Sequence, residues 1–154
     1  MKKRFFEDVQ IGEAETSMGR TITETDIVNF AALSGDYNSI HTDAEFAKNT
    51  AAGQRLAHGL LVTSIAFGLY SRTEFSSMLS PNLVALKGLK NWSFRKPVFI
   101  GDTIRIRIEV IDKEDYGKPD RARITLHRDV LNQRDEVVAS GETDLVVKKR
   151  PAEA

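Results

Sequence analysis

The sequence contains no cysteine. That excludes disulfides, thiolate nucleophiles and zinc sites built on cysteine, and it permits a reducing compartment. Net charge is missing too: Lys plus Arg and Asp plus Glu stand at 22 each, so nothing points to nucleic acid, an anionic membrane or a highly acidic partner. No segment approaches the roughly 20 apolar residues that span a bilayer. The opening Met1-Lys2-Lys3-Arg4-Phe5-Phe6 is basic like a signal peptide, but Glu7, Asp8 and Gln10 interrupt any apolar h-region. A soluble, cytoplasmic protein is expected. There is no repeat, no low-complexity tract and no linker rich in Pro, Gly or Ser. The 154 residues therefore read as one domain over 1–147 and a flexible, solvated tail over 148–154.

The first half carries helix signals. Thr23-Glu24-Thr25-Asp26 is a capping pattern, Ile27, Phe30 and Ala31 follow at helical spacing, and Ser34-Gly35 can end the helix. Thr42-Asp43-Ala44-Glu45 reads as a second capping box for a short helix. A third helix is expected from Gly59 to Tyr70. Leu60, Leu61, Ile65, Ala66 and Leu69 make it apolar over much of its surface, as in a buried helix. The second half is strand-like. Thr103 to Val110 alternates strictly, with Ile104, Ile106, Ile108 and Val110 on one face and Arg105, Arg107 and Glu109 on the other. Ala122 to Val130 and Val137 to Val147 repeat the pattern, and Leu83 to Phe94 is an earlier strand whose phase slips near Gly88. Four antiparallel strands and a buried helix make an α+β domain, a curved sheet wrapped around a long central helix. An open sheet edge would be covered by a second copy, so a homodimer or larger homo-oligomer is expected.

The histidines are His41, His58 and His127. His127 lies on the polar face of its strand and reads as a surface residue. His41 follows Asp36 in the loop Gly35-Asp36-Tyr37-Asn38-Ser39-Ile40-His41, too short for helix or strand, so both side chains can point at one small volume. An acid and an imidazole around a water are what hydration requires, one taking a proton and the other delivering one. The competing account is an Asx-turn at Asp36 and a histidine that satisfies a backbone carbonyl. His58-Gly59 opens the third helix, whose N-terminal amides can bind an oxygen as negative charge develops; Gly59 can equally be a packing glycine.

Phe30-Ala31-Ala32-Leu33-Ser34-Gly35-Asp36-Tyr37-Asn38-Ser39-Ile40-His41 resembles the core motif of the MaoC-like, R-specific enoyl-CoA hydratases, a hotdog-fold family. That motif runs aromatic residue, Ser-Gly-Asp, any residue, Asn-Pro, aliphatic residue, His. Phe6-Glu7-Asp8-Val9 with Gly12, Ala57-His58-Gly59-Leu60-Leu61, and Lys96-Pro97-Val98-Phe99 with Gly101-Asp102-Thr103 are similar to other family segments, so the resemblance covers essentially the whole chain. It implies a single hotdog domain in which Asp36 and His41 hold the catalytic water and the Gly59 amide binds the thioester oxygen. Coenzyme A enters as part of the substrate, with no other cofactor and no metal. Ser39 stands where the family has proline, and Phe67 where some members have a serine supporting the aspartate. Asn38 or Ser64 is then a candidate partner for Asp36, with His58 alongside, or Phe67 reshapes the acyl pocket. Arg55, Lys87, Lys90, Arg95 and Lys96 are candidates for the coenzyme A phosphates, against the plainer role of solvated charge. Two other functions fit the scaffold: a hotdog thioesterase, which explains the Asp–His pair less well, and a non-catalytic acyl-CoA-binding or scaffold protein, expected to have lost Asp36 or His41.

Overall fold

A computed structural model describes residues 3–151. Met1 and Lys2, and the tail residues 152–154, lie outside the described residues. Six strands form one antiparallel sheet in the order β1(Ala14–Thr16), β4(Thr103–Glu114), β5(Arg121–Leu131), β6(Val137–Lys148), β3(Leu83–Phe94), with β2(Arg20–Thr21) also on β4. Among the described residues five α-helices accompany it: α1(Glu24–Ser34), α2(Ser39–Thr42), α3(Ala44–Lys48), α4(Gly59–Tyr70) and α5(Glu74–Leu79).

The alternation in β4 places Ile104, Ile106, Ile108 and Val110 at zero exposure in the core, together with Ile124 and Leu126 of β5 and Val147 of β6. Each such side chain stabilises the fold by about 1.5–3 kcal/mol through burial. Helix α4 packs Leu61, Val62, Ala66 and Leu69 into the same core. It is central but not long, at 12 residues, and not buried all round: Leu60 is 63% exposed and Ser64 is exposed. Strand β3 slips register against β6 between Leu86 and Gly88, and again on either side of that point.

Arg128 is an exception in the core. It occupies an inward position of β5 at zero exposure, between the rings of Phe67 and Tyr70. Its Nε donates to Thr143 at 2.7 Å, while Nη1 has no partner among the described residues. Burial pushes its pKa below the ordinary arginine value.

Some expectations change. The second capping site is Asp43, whose carboxylate accepts from the Phe46 amide, whereas Thr42 donates to the Tyr37 carbonyl. Residues 39–42 are not loop but one helical turn, capped by Asn38. The sheet gains β1 and β2, and α5 is a further helix. At the other end, Lys148 closes β6, Lys149 bonds Asp120 and Lys118, and Arg150 pairs with Asp8. No helix among the described residues is long and apolar enough to cross a membrane.

Candidate functional site

The segment from Ser34 to His41 is built from consecutive side-chain turns. Gly35 ends α1 at φ 76°, a left-handed conformation that favours glycine. The Asp36 amide donates to Ser34 Oγ, the Asn38 amide to Asp36 Oδ1, and the Ile40 amide to Asn38 Oδ1. Asp36 does form the Asx-turn, and its exposed carboxylate keeps a second oxygen beyond that bond. Ser64 is not its partner, because Ser64 Oγ donates to the Leu60 carbonyl one turn back.

His41 is 8% exposed, and its Nδ1 lies 2.8 Å from the Leu56 carbonyl. A carbonyl only accepts, so Nδ1 carries the proton and Nε2 is the nitrogen left for chemistry. Leu56 is itself clamped: its amide donates to the Ile40 carbonyl, it bridges to Phe99, and the next amide donates to Val98. Beside His41 lies His58, ring over ring, with centroids 3.8 Å apart and planes at 28°. His58 Nε2 sits 3.0 Å from the Asp36 carbonyl.

A carboxylate oxygen of Asp36 and a ring nitrogen from each of His41 and His58 lie within 4.8 Å of one another. That spacing accommodates a bridging water. It suits a metal ion less well. The stacked rings, centroids 3.8 Å apart, lie face to face and do not spread their nitrogens around a central ion.

Asp36, His41, His58 and Gly59 line one cavity of about 740 Å³, closed by Phe30, Phe94, Val98 and Val138 among others. Gly59 is the first residue of α4, and its N-cap His58 makes no side-chain capping bond, so the first-turn amides are left for an incoming oxygen. A Cβ on Gly59 would fall 2.8–3.0 Å from the Phe94 ring. Packing against Phe94 is therefore a reason for glycine here, independent of any ligand.

The basic candidates separate. Arg95 and Lys96 line the cavity. Lys96 pairs with Glu136 at 2.7 Å, while Arg95 is exposed and joins no ion pair among the described residues. Arg55 is engaged in a two-point pair with Glu24, whose carboxyl it holds below the ordinary glutamate range. Lys87 lines a separate cleft, and Lys90 pairs with Asp144. Phe67 is not part of the cavity wall; it packs on Trp92, centroids 5.8 Å apart, and under Arg128. His127 lies elsewhere, beside Asp129 and Ser140. There the serine hydroxyl donates to Asp129 at 2.7 Å and is not set up as a nucleophile. The Leu56 carbonyl, the His41–His58 stack and the Phe94 ring were not legible from the sequence. Each is a contact between distant segments that no local pattern encodes.

Residues 8–130 match the family described as MaoC like domain. Protein MaoC of Klebsiella aerogenes is 39% identical over 69% of this chain, which spans about 30% of that protein's length. A 3-hydroxybutyryl-CoA dehydratase of Methylorubrum extorquens is 35% identical, with 95% of this chain and 85% of that one covered. An (R)-specific enoyl-CoA hydratase of Rhodospirillum rubrum is 30% identical over 95% of this chain and 93% of that one. Among solved structures, a monoamine oxidase regulatory protein from Archaeoglobus fulgius superposes with a TM-score of 0.92 at 40% identity, covering 98% of each chain.

Proposed function

The chain belongs to the family of MaoC like domains, and on that premise we propose that it is a hydro-lyase adding water reversibly to a trans-2-enoyl-CoA thioester to give the (R)-3-hydroxyacyl-CoA. The observation that carries this reading is the convergence of Asp36, the free Nε2 of His41 and the uncapped N-terminus of α4 on one cavity. The names of the relatives from Methylorubrum extorquens and Rhodospirillum rubrum support it.

The thioester oxygen accepts a hydrogen bond from the Gly59 amide, which draws electrons out of the double bond and exposes the β-carbon. Asp36 and His41 hold the water. Between them they accept one proton from it as hydroxide adds to the β-carbon, and they return one proton to the α-carbon. The two groups act as one unit. In reverse, the same amide acidifies the α-proton of the hydroxyacyl thioester. Arg95, the cavity's unpaired cation, meets a phosphate of coenzyme A.

The active form is a dimer. Strand β3 pairs with β6 on one side and with no strand on the other among the described residues. Leu83, Val84, Leu86, Leu89 and Phe94 along it are 38–55% exposed, and Leu60 of α4 adds to the same apolar surface. A long apolar edge of this kind invites pairing with a second copy.

The test is direct. The purified protein is mixed with crotonyl-CoA and longer trans-2-enoyl-CoA esters, and loss of the conjugated thioester absorbance is followed with chiral analysis of the product. The R-3-hydroxyacyl product is expected. Thiol release without hydration would replace this reading with a thioesterase, and tight binding without turnover would replace it with a binding protein. Light scattering on the eluting protein gives the mass of the assembly.

A further inference from the structure

His58 stands where the pieces of the site meet. It is the N-cap residue of α4, a position where Ser, Thr, Asn or Asp ordinarily places an oxygen on a first-turn amide. Its side chain does something else. Nε2 donates to the Asp36 carbonyl at 3.0 Å, one ring contact is the tilted ring of Phe30 at 5.0 Å, and another is the stacked ring of His41 at 3.8 Å. The residue is 2% exposed, and Nδ1 is buried without a partner among the described residues. A buried polar nitrogen without a bond costs stability, so packing alone would favour a phenyl ring here. A donor alone would be met by glutamine. An imidazole offers a donor at its rim and a flat face at once, in a ring smaller than that of tyrosine or tryptophan.

Resting on the hydratase reading, we propose that His58 is a positioning residue. It fixes the Asp36 backbone through Nε2 and the His41 ring through its face, and so sets both groups relative to the Gly59 amide that follows it in the chain. It acts through Asp36 and His41 and exchanges no proton with substrate. Because it spends nothing on capping, the amides at the start of α4 stay open to the thioester oxygen.

Two substitutions split its roles. His58→Gln keeps a donor of similar reach and removes the flat ring; His58→Phe keeps the ring and removes the donor. Each is expected to lower kcat on crotonyl-CoA by roughly 10²-fold, the scale of a misplacement near 1 Å, with KM little changed. A second measurement needs no substrate. In ¹H–¹⁵N spectra of the histidine rings at neutral pH, the unsubstituted protein shows His41 protonated at Nδ1 and His58 at Nε2. In His58→Gln the His41 ring N–H broadens by exchange with water, whereas in His58→Phe, which keeps the stacked face, it stays sharp; backbone amides away from the site are unmoved in both. Full kcat in either variant, a loss confined to KM, or an unchanged His41 ring signal in the glutamine variant would overturn the proposal. If the unsubstituted protein hydrates no enoyl-CoA, the hydratase reading fails by itself and the ring spectra alone decide what His58 does. Where the phenylalanine variant does not fold, the glutamine variant carries the test.

Discussion

Nδ1 of His41 lies 2.8 Å from the carbonyl oxygen of Leu56, 15 residues further along the chain. This bond does more than satisfy a buried imidazole. By placing the proton on Nδ1 it directs the Nε2 lone pair to the cavity, where Asp36 presents its carboxylate. The bland account of this histidine, a ring satisfying a backbone carbonyl, and the chemical account are thus the same arrangement seen from its two nitrogens.

Asp36→Asn and His41→Ala should each lower kcat for enoyl-CoA hydration by about 10²–10⁴-fold. Asparagine retains the oxygen that accepts from the Asn38 amide, so the Asx-turn and the fold survive. Because the two residues act as a unit, the double variant should be little worse than the poorer single one. Initial rates beside far-ultraviolet circular dichroism check this. A single variant with wild-type kcat would remove that residue from the mechanism.

Ser39→Pro should stabilise the protein by about 0.4–1 kcal/mol through the unfolded chain. Ser39 is the first residue of α2, where proline needs no amide bond, and Asn38 before it has the extended ψ of 133° that a following proline requires. Urea unfolding at constant m-value is the measurement. A lower midpoint would mean that the serine is needed for more than its backbone.

Arg95→Ala should raise KM for coenzyme A thioesters and leave kcat nearly unchanged, since a phosphate contact binds ground and transition states alike. The effect should shrink as salt is added, because the side chain is exposed. Lys87→Ala serves as the control on the separate cleft and should leave KM unchanged.

Arg128→Met should be neutral or stabilising, by up to about 4 kcal/mol, because it replaces a buried cation with an apolar side chain of similar length. Arg128→Ala should instead destabilise by about 2–5 kcal/mol, leaving a cavity between α4 and the sheet. Chemical denaturation of the two variants against wild type separates these outcomes. A strong loss of stability in the methionine variant would show that the guanidinium's bond to Thr143 matters more than its desolvation.

Glu136 couples the cavity mouth to acid stability. Bonds from Asn132, Lys96 and Arg134 hold its carboxyl well below the ordinary glutamate value, at about 2. A carboxyl depressed in the folded state contributes stability above its unfolded pKa, and that contribution is lost as pH falls from the ordinary glutamate range towards 2. Glu136→Gln should therefore cost stability near neutral pH and unfold with a shallower dependence on acid. Thermal midpoints measured across that range test it, and parallel curves for the two proteins would refute the coupling.

Much of this was legible because the signals are local. Period-two alternation located Ile104 to Val110, and the Thr23–Asp26 box with Gly35 bounded α1. Strands β1 and β2, at three and two residues, are too short to show any period. Arg128 sits within the alternation from Ala122 to Val130, yet nothing in that alternation tells that a guanidinium there is buried against two aromatic rings. The basic candidates were indistinguishable in the sequence. What separates Arg95 from Arg55 is Glu24, a partner 31 residues away from Arg55. The motif from Gly35 to His41 marks part of the cavity wall, whereas Leu56 and His58, which bond to it, come from another segment.

The first turn of α4 has no side-chain cap, and this bears on how the protein would respond to selection for heat resistance alone. Asn, Asp or Ser at an N-cap stabilises a helix by about 0.5–2 kcal/mol, so a screen blind to turnover would be drawn towards position 58. The hardier molecules it recovered there would carry an oxygen over the amides that receive the thioester in the proposed mechanism. In this fold, thermal robustness at the head of the central helix and an open seat for substrate compete for one residue.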